Sequence, residues 1–185
     1  MANSGSVVWI TGLSGAGKTT IARALVARMP GAILLDGDEL RAVLGAASSS
    51  FEYEKRKELA FTYARLCKLL AEQGLTVIIA TISLFHDVHA WNRAHLPSYL
   101  EVFLDISEEI RQARDPKGLY AAAQQGHIRH MAGMETPVET PLAPDLVITA
   151  SSHDTLEANV QCLLDRIQAA SSATGCSPCK LVADS

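Results

Sequence analysis

Near the start of the chain, small residues alternate with a lysine and two threonines: Gly12-Leu13-Ser14-Gly15-Ala16-Gly17-Lys18-Thr19-Thr20. The spacing is G-x-x-x-x-G-K-T. It lies between a short apolar run, Val7-Val8-Trp9-Ile10, and a segment that puts Ile21, Leu25 and Met29 on one helical face. Those residue types suit one task. Glycine permits backbone angles that a Cβ would obstruct, so consecutive N–H groups can converge on phosphate oxygens. The helix that follows aims the positive end of its dipole at the same anion. Lys18 adds a point charge for the β- and γ-phosphates, and the Thr19 hydroxyl is a hard oxygen ligand for Mg²⁺. The run reads as a cradle for a nucleoside triphosphate, with Gly12, Ser14, Gly15, Ala16, Gly17, Lys18, Thr19 and Thr20 as its contact residues.

A second group, Asp36-Gly37-Asp38, follows the next apolar run, Ala32 to Leu35. In an open parallel sheet the carboxyl ends of the strands line the ligand crevice. Carboxylates there can orient Mg²⁺ or its water and accept a proton from an attacking hydroxyl. The same spelling also makes a helix N-cap. Arg41, one turn further, is placed for an anionic substrate. A triphosphate cradle does not name the reaction, and three classes remain: a small-molecule kinase, a nucleotide switch and a non-catalytic binding module. Asp115-Pro116-Lys117-Gly118 spells the D-x-x-G of a switch, but it follows a helix and no N-K-x-D exists in the chain. A module without turnover would be expected to have lost Lys18, Thr19 or the aspartates, and all are present.

Strand and helix signals alternate, as in an α/β domain built on a parallel sheet. Further strands are expected at Thr76 to Ala80, Leu100 to Leu104 and Leu146 to Thr149. Helices are expected at Gly37 to Leu44, at Phe51 to Gln73 with Leu59, Tyr63, Leu66 and Leu70 on one face, from Ser107 to near Arg114, and through Leu156, Val160, Leu163 and Ile167. Asp115 to Pro144 is long, proline-bearing and without periodicity, which suits a lid. Residues 1–170 read as one domain and 171–185 as a flexible tail. At 185 residues, 48% hydrophobic, 19% charged and a net charge of −4, the chain is globular. No broad surface for a nucleic acid polymer or an anionic membrane is expected, and no spanning segment or signal peptide stands out, so the expected location is the cytoplasm. Cys67 and Cys162 read as core residues, and Cys176-x-x-Cys179 as free thiols in the tail. His86-x-x-His89 and His127-x-x-His130 lack a third ligand and read as solvated. Trp9 and Trp91 read as packing residues.

Beyond these readings, the chain resembles the adenylyl-sulfate (APS) kinase family. The words that carry the resemblance are Trp9 to Thr20, Leu35-Asp36-Gly37-Asp38-Glu39-Leu40-Arg41, Ile82-Ser83 and Arg114-Asp115-Pro116-Lys117-Gly118-Leu119-Tyr120. The resemblance implies a P-loop nucleoside-triphosphate-hydrolase/nucleotide-kinase fold, a five-stranded parallel sheet flanked by helices with a lid, and a homodimer. It implies transfer of the γ-phosphoryl group of ATP, with Mg²⁺, to the ribose 3′-hydroxyl of APS, giving PAPS. By position, Asp36 resembles the base for that hydroxyl and, with Thr19, a metal contact. Asp38 resembles its neighbour in the Mg²⁺ and water network. Arg41 and Arg56 resemble the arginines that hold the acceptor's phosphosulfate, Phe51 an aromatic stacked on the acceptor base, and Ile82 and Ser83 acceptor-pocket residues. Arg114 resembles the arginine against the adenine of ATP, and Lys117 a lid residue.

The departures from the family pattern fall on the acceptor side. Leu59 stands where the family has an asparagine that bonds the acceptor, and Phe61 where it has an arginine. Leu84 replaces a proline, Ala121-Ala122 a lysine pair, and Met131 a second stacking aromatic. Losing the hydrogen bond to the acceptor base and half of the aromatic clamp costs on the order of 1–3 kcal/mol each for the usual acceptor. A related kinase acting on another nucleotide 3′-hydroxyl, such as that of cytidine diphosphoramidate, is the alternative expectation.

Overall fold

The computed structural model describes residues 5–45, 53–114, 118, 138–150 and 155–173. Phe51, Lys117, Met131, His127, His130, Cys176, Cys179 and most of segment 115–144 fall outside them. One sheet is built from β1 (Ser6–Gly12), β2 (Ile33–Asp36), β3 (Thr76–Ala80), β4 (Tyr99–Asp105) and β5 (Leu146–Thr149). The spatial order is β2-β3-β1-β4-β5, and every pairing is parallel. The helices are α1 (Lys18–Ala27), α2 (Gly37–Val43), α3 (Tyr53–Glu72), α4 (His86–His95), α5 (Glu108–Arg114) and α6 (Leu156–Ala173).

The pleat explains why the strands are largely apolar. Val8 and Ile10 face one side of the sheet, with Ile78, Val102 and Leu104, under Ile21 and Leu25 of α1 and Val160 and Leu163 of α6. Val7 and Trp9 face the other, with Val77 and Ile79, under Tyr63 and Cys67 of α3 and Val88 of α4. Both faces are covered, so polar alternation is absent, as in parallel sheets generally. Burial of side chains such as Leu25 and Leu163, both fully enclosed, contributes on the order of 1.5–3 kcal/mol each.

The P-loop α/β architecture expected from the sequence is the one observed, with four local corrections. The buried stripe of α3 is Ala60, Tyr63, Ala64, Cys67 and Ala71, displaced from the leucine stripe; its small residues let the helix approach the sheet closely, and Leu59, Leu66 and Leu70 flank it. Helix α4 has no expected counterpart. Its ten residues average slightly polar, and the stripe that buries it mixes Val88 with His89 and Asn92, which hides the helical period. Cys162 is exposed, because Val160 and Leu163 supply the inward face of α6 and Cys162 lies between them pointing out; Leu156 is likewise exposed. Helix α6 continues through Ala173, into the stretch read as tail. No helix among the described residues is long and apolar enough to cross a membrane.

Candidate active site

The sheet delivers the candidate residues from the carboxyl ends of β1, β2 and β3, which are adjacent in space. β1 ends at Gly12, the loop follows, and α1 starts at Lys18. Gly17 caps that helix in the left-handed region, at φ 95°, and the space its Cβ would enter faces Arg114 Nη1 at 3.8 Å. Gly15 is also left-handed, at φ 77°, and a Cβ there would lie 2.8 Å from the Arg111 carbonyl oxygen. Backbone and packing thus both require glycine, and the loop stays open toward the crevice. The first turn of α1 carries no acidic side chain, so its N-terminal dipole is left to an external anion.

Lys18 is half-buried, and its Nζ donates to the Leu13 carbonyl at 2.8 Å. Loss of water pushes its pKa down to about 7; Asp36 raises it, while Arg111 and Arg41 lower it further. One carboxylate and two guanidinium groups therefore act on Lys18, an excess of positive charge that a polyphosphate would offset.

Asp36 is buried and caps α2 with extended backbone, φ −96° and ψ 130°. One carboxylate oxygen accepts the Asp38 N–H at 2.9 Å, and the other accepts the Thr19 hydroxyl at 2.6 Å. The helix cap and the contact with the phosphate loop are therefore one side chain. Thr19 and Asp36 present two hard oxygens within a hydrogen bond of each other, the donor set that Mg²⁺ uses when phosphates and water complete its shell. Asp38 goes elsewhere: it is exposed and ion-paired with Arg41.

Arg41 and Arg56 lie near enough for the charge of one to act on the other. Arg56 sits over the Phe85 ring at 5.8 Å. Burial, and then the charge of Arg41, hold its guanidinium below its ordinary pKa. Its buried Nη1 has no hydrogen-bond partner among the described residues. A desolvated, unsatisfied donor beside a second arginine is an anion site. Arg56 is half-buried. Tyr63 lies beneath, with its hydroxyl donating to the Gly37 carbonyl at 3.3 Å.

The turn after β3 carries Ile82 and Ser83. Ser83 has φ 22°, a region that costs a side-chain residue of order 1–3 kcal/mol. Its Oγ lies 2.8 Å from Thr81 Oγ1, and Thr11 Oγ1 donates to the Ile82 carbonyl at 2.5 Å. Asp36 pairs in register with Ala80, which puts this turn directly beside it. A cavity of about 240 Å³ opens between Leu13, Leu84, Phe103, Ile106, Arg111 and Thr140. It is smaller than the roughly 300–1,000 Å³ that encloses a whole ligand.

Several buried polar residues escaped sequence reading. Arg111 is buried on α5, donates from Nε to the Ile106 carbonyl at 2.9 Å, and adds charge near Lys18. His89 is buried, not solvated; its Nε2 lies 2.9 Å from the Ser83 carbonyl. Glu139, within the segment read as lid, accepts the Tyr53 hydroxyl at 2.6 Å and the His86 N–H at 2.5 Å, which ties this part of the segment to α3 and α4. Polar residues facing inward on otherwise apolar helices were the available signal. Among the described residues no cluster of three metal-ligating side chains occurs, and His86 bonds the Thr140 carbonyl, apart from His89. Leu59 and Phe61, the two apolar departures, pack at the edge of the α3–α4 core, where Phe61 meets Trp91 edge-on at 6.4 Å.

This geometry finds close relatives. A cytidine diphosphoramidate kinase from Campylobacter jejuni is 36% identical over 171 residues, covering 90% of this chain and 99% of that one. An adenylyl-sulfate kinase from Paraburkholderia xenovorans is 44% identical over 149 residues, covering 78% and 83%. The APS kinase CysC of Mycobacterium tuberculosis, solved in complex with AMPPNP and APS, superposes with a TM-score of 0.80 at 34% identity, covering 89% of this chain and 98% of that chain. Residues 4–149 match the adenylylsulphate kinase family as a whole. The phosphate loop, the acid that touches it and the matched sequence agree: this chain belongs to the adenylylsulphate kinase family and is a phosphotransferase.

Proposed function

We propose that the chain transfers the γ-phosphoryl group of ATP to the ribose 3′-hydroxyl of a nucleotide, with adenylyl sulfate as the acceptor. The observation that carries this reading is the 2.6 Å contact between Thr19 and Asp36. It joins the phosphate loop to a buried carboxylate. The triphosphate lies along Gly12 to Thr20, with Lys18 against the β- and γ-phosphates. Arg114, beside Gly17, lies on the side of the adenine. Arg41 and Arg56 hold the acceptor's anionic end, against the turn at Ile82 and Ser83. Asp36 accepts the proton of the 3′-hydroxyl as that oxygen attacks the γ-phosphorus, and ADP leaves. Asp38 orients Arg41 and the water around it. Mg²⁺, held by Thr19 and Asp36, would offset charge on the transferring group. The carboxylate is within reach of both substrates because it closes β2, next to β3 in the sheet.

A second reading, that the acceptor is cytidine diphosphoramidate, is favoured by Leu59 and Phe61, which remove polar groups from the acceptor side. The similarity to the Campylobacter jejuni enzyme over 99% of its length supports it further. The test is ADP release with ATP and each acceptor in turn. Saturable turnover of APS at micromolar concentration is the expected result. Turnover of cytidine diphosphoramidate with APS inert selects the second reading, and no transfer to either sinks both.

A further inference from the structure

His89 links the acceptor turn to a buried charge network at the centre of the sheet. On one side its Nε2 meets the Ser83 carbonyl at 2.9 Å. On the other its Nδ1 lies 3.1 Å from Glu101 Oε1 of β4, and neither of these two buried atoms has a hydrogen-bond partner among the described residues. The second Glu101 oxygen accepts Arg93 Nη2 at 2.8 Å. Arg93 also grips Asp145, and Asp145 accepts the Glu101 N–H at 2.8 Å. Glu101 is thus fixed from two directions, and the imidazole lies between two acceptors. A neutral ring donates to only one of them. With its proton on Nε2, it turns the Nδ1 lone pair toward a carboxylate.

The turn needs such a hold. Ser83 is left-handed, and Phe85, two residues on, is the platform under Arg56. A shift of the Ser83 carbonyl therefore moves both the turn and the arginine platform. We propose that His89 is a positioning residue for the acceptor. In this arrangement its ring, protonated on both nitrogens, bridges Glu101 and the Ser83 carbonyl and so sets the turn that the acceptor meets. The proposal rests on the reading of Ile82 and Ser83 as acceptor contacts.

The bridge is sensitive to pH. Burial opposes the second proton and holds His89 below its ordinary pKa, while Glu101 and the Ser83 carbonyl favour it. The charged and titratable groups around the ring are Glu101 on β4, Asp145 and Glu139 on the segment before β5, and His86 and Arg93 on its own helix. The bridge is complete at low pH and loses its Nδ1 proton as pH rises.

The first test needs no acceptor: ¹⁵N NMR of the histidine rings in the full chain. His89 is expected to gain its Nδ1 proton only on the acid side of the ordinary imidazole range, and to keep the Nε2 proton throughout. The Glu101→Gln variant is expected to lose the Nδ1 proton at lower pH still. An Nδ1 that is unprotonated at every pH at which the chain is folded, or an Nε2 that deprotonates first, overturns the bridge. The second test uses whichever acceptor turns over, near pH 6. His89→Phe is expected to raise the acceptor KM about tenfold while the ATP KM changes less than about twofold. His89→Gln, which keeps a donor for the Ser83 carbonyl, should return the acceptor KM to within about threefold of wild type. Equal changes in both KM values, or a well-folded Gln variant as impaired as the Phe variant, overturn the positioning role. If neither acceptor turns over, the functional reading fails while the NMR result still decides the bridge.

Discussion

The two sides of the crevice are built differently. The nucleotide side is local: nine consecutive residues, a helix N-terminus and one lysine, shaped mainly by backbone. The side proposed for the acceptor is assembled from Arg41 on α2, Arg56 on α3, the Ser83 turn after β3 and His89 on α4, held by contacts that span the sequence. Local backbone geometry leaves little freedom at the nucleotide side. Side chains on separate elements can be exchanged one at a time while the scaffold stands. A family built this way can keep its phosphoryl donor and vary its acceptor, and the departures at Leu59 and Leu84 flank the elements proposed for the acceptor.

The contrast breaks most sharply where the two sides meet. Asp36→Asn keeps an N-cap, since asparagine caps as well as aspartate, but removes the proton acceptor. Turnover is expected to fall about 100- to 1,000-fold with little change in Tm, measured by ADP release and thermal melting. Near-normal kcat would mean that the proton leaves by another route. Lys18→Ala should cause a loss of similar size. Its effect on stability has the opposite sign to that of removing an ordinary buried contact. The lysine sits at about 7, below its ordinary 10.5, so charging it in the free fold is unfavourable. Removing it should leave the free protein's Tm equal or raised near pH 6.

The same lysine gives a smaller, pH-dependent effect on the nucleotide side alone. Below pH 7 the ammonium is already charged, and binding takes up no proton. Above pH 7 the free protein holds Lys18 neutral, while bound phosphates raise its pKa, so binding takes up one proton. Nucleotide affinity should therefore weaken as pH rises above 7, by up to about tenfold per unit, and stay flat below. Calorimetry in two buffers of different ionisation enthalpy counts that proton. In the absence of nucleotide, the folded chain binds fewer protons than the unfolded chain between pH 7 and 10.5. Lys18 thus makes the free fold more stable as pH rises through that window.

How far each side could be read from the sequence follows the same division. Asp36 and the loop were legible because their spacing is local and their residue types have one use. The strands were legible because burial on both faces makes them largely apolar, with Glu101 of β4 and Thr11 of β1 as buried exceptions. Arg41 was marked by its place one turn after Asp36, whereas Arg56 was reached only through the family resemblance, since an arginine in a charged run spells nothing. His89, Glu101 and Arg111 were missed for a physical reason. Each is a polar residue whose partner lies on another element, and a pattern along one helix cannot show what the next strand presents. Helix α4 was missed with them, because the inward-facing His89 and Asn92 break its apolar stripe. Cys162 was misread because position in a helix says little about which face is inward until neighbours are known.

The smallest expected effect sharpens the comparison best, because it asks whether the acceptor side is worn or re-specified. Leu59 is half-buried at the edge of the α3 stripe, one turn from Arg56. Leu59→Asn restores the polar group that the family carries there. The exchange sits at a partly exposed position, so it should cost little stability, within about 1 kcal/mol. If APS is the native acceptor and other contacts have taken over, the asparagine gains nothing, and kcat/KM for APS changes by less than about twofold. If the pocket is set for another base, the asparagine supplies a missing partner. APS turnover should then rise severalfold, up to about tenfold, while the favoured acceptor loses ground. The ratio of the two specificity constants, compared before and after the substitution, cancels any general damage to the fold. A ratio that does not move while both constants fall together would show that residue 59 shapes α3 and not the choice of acceptor.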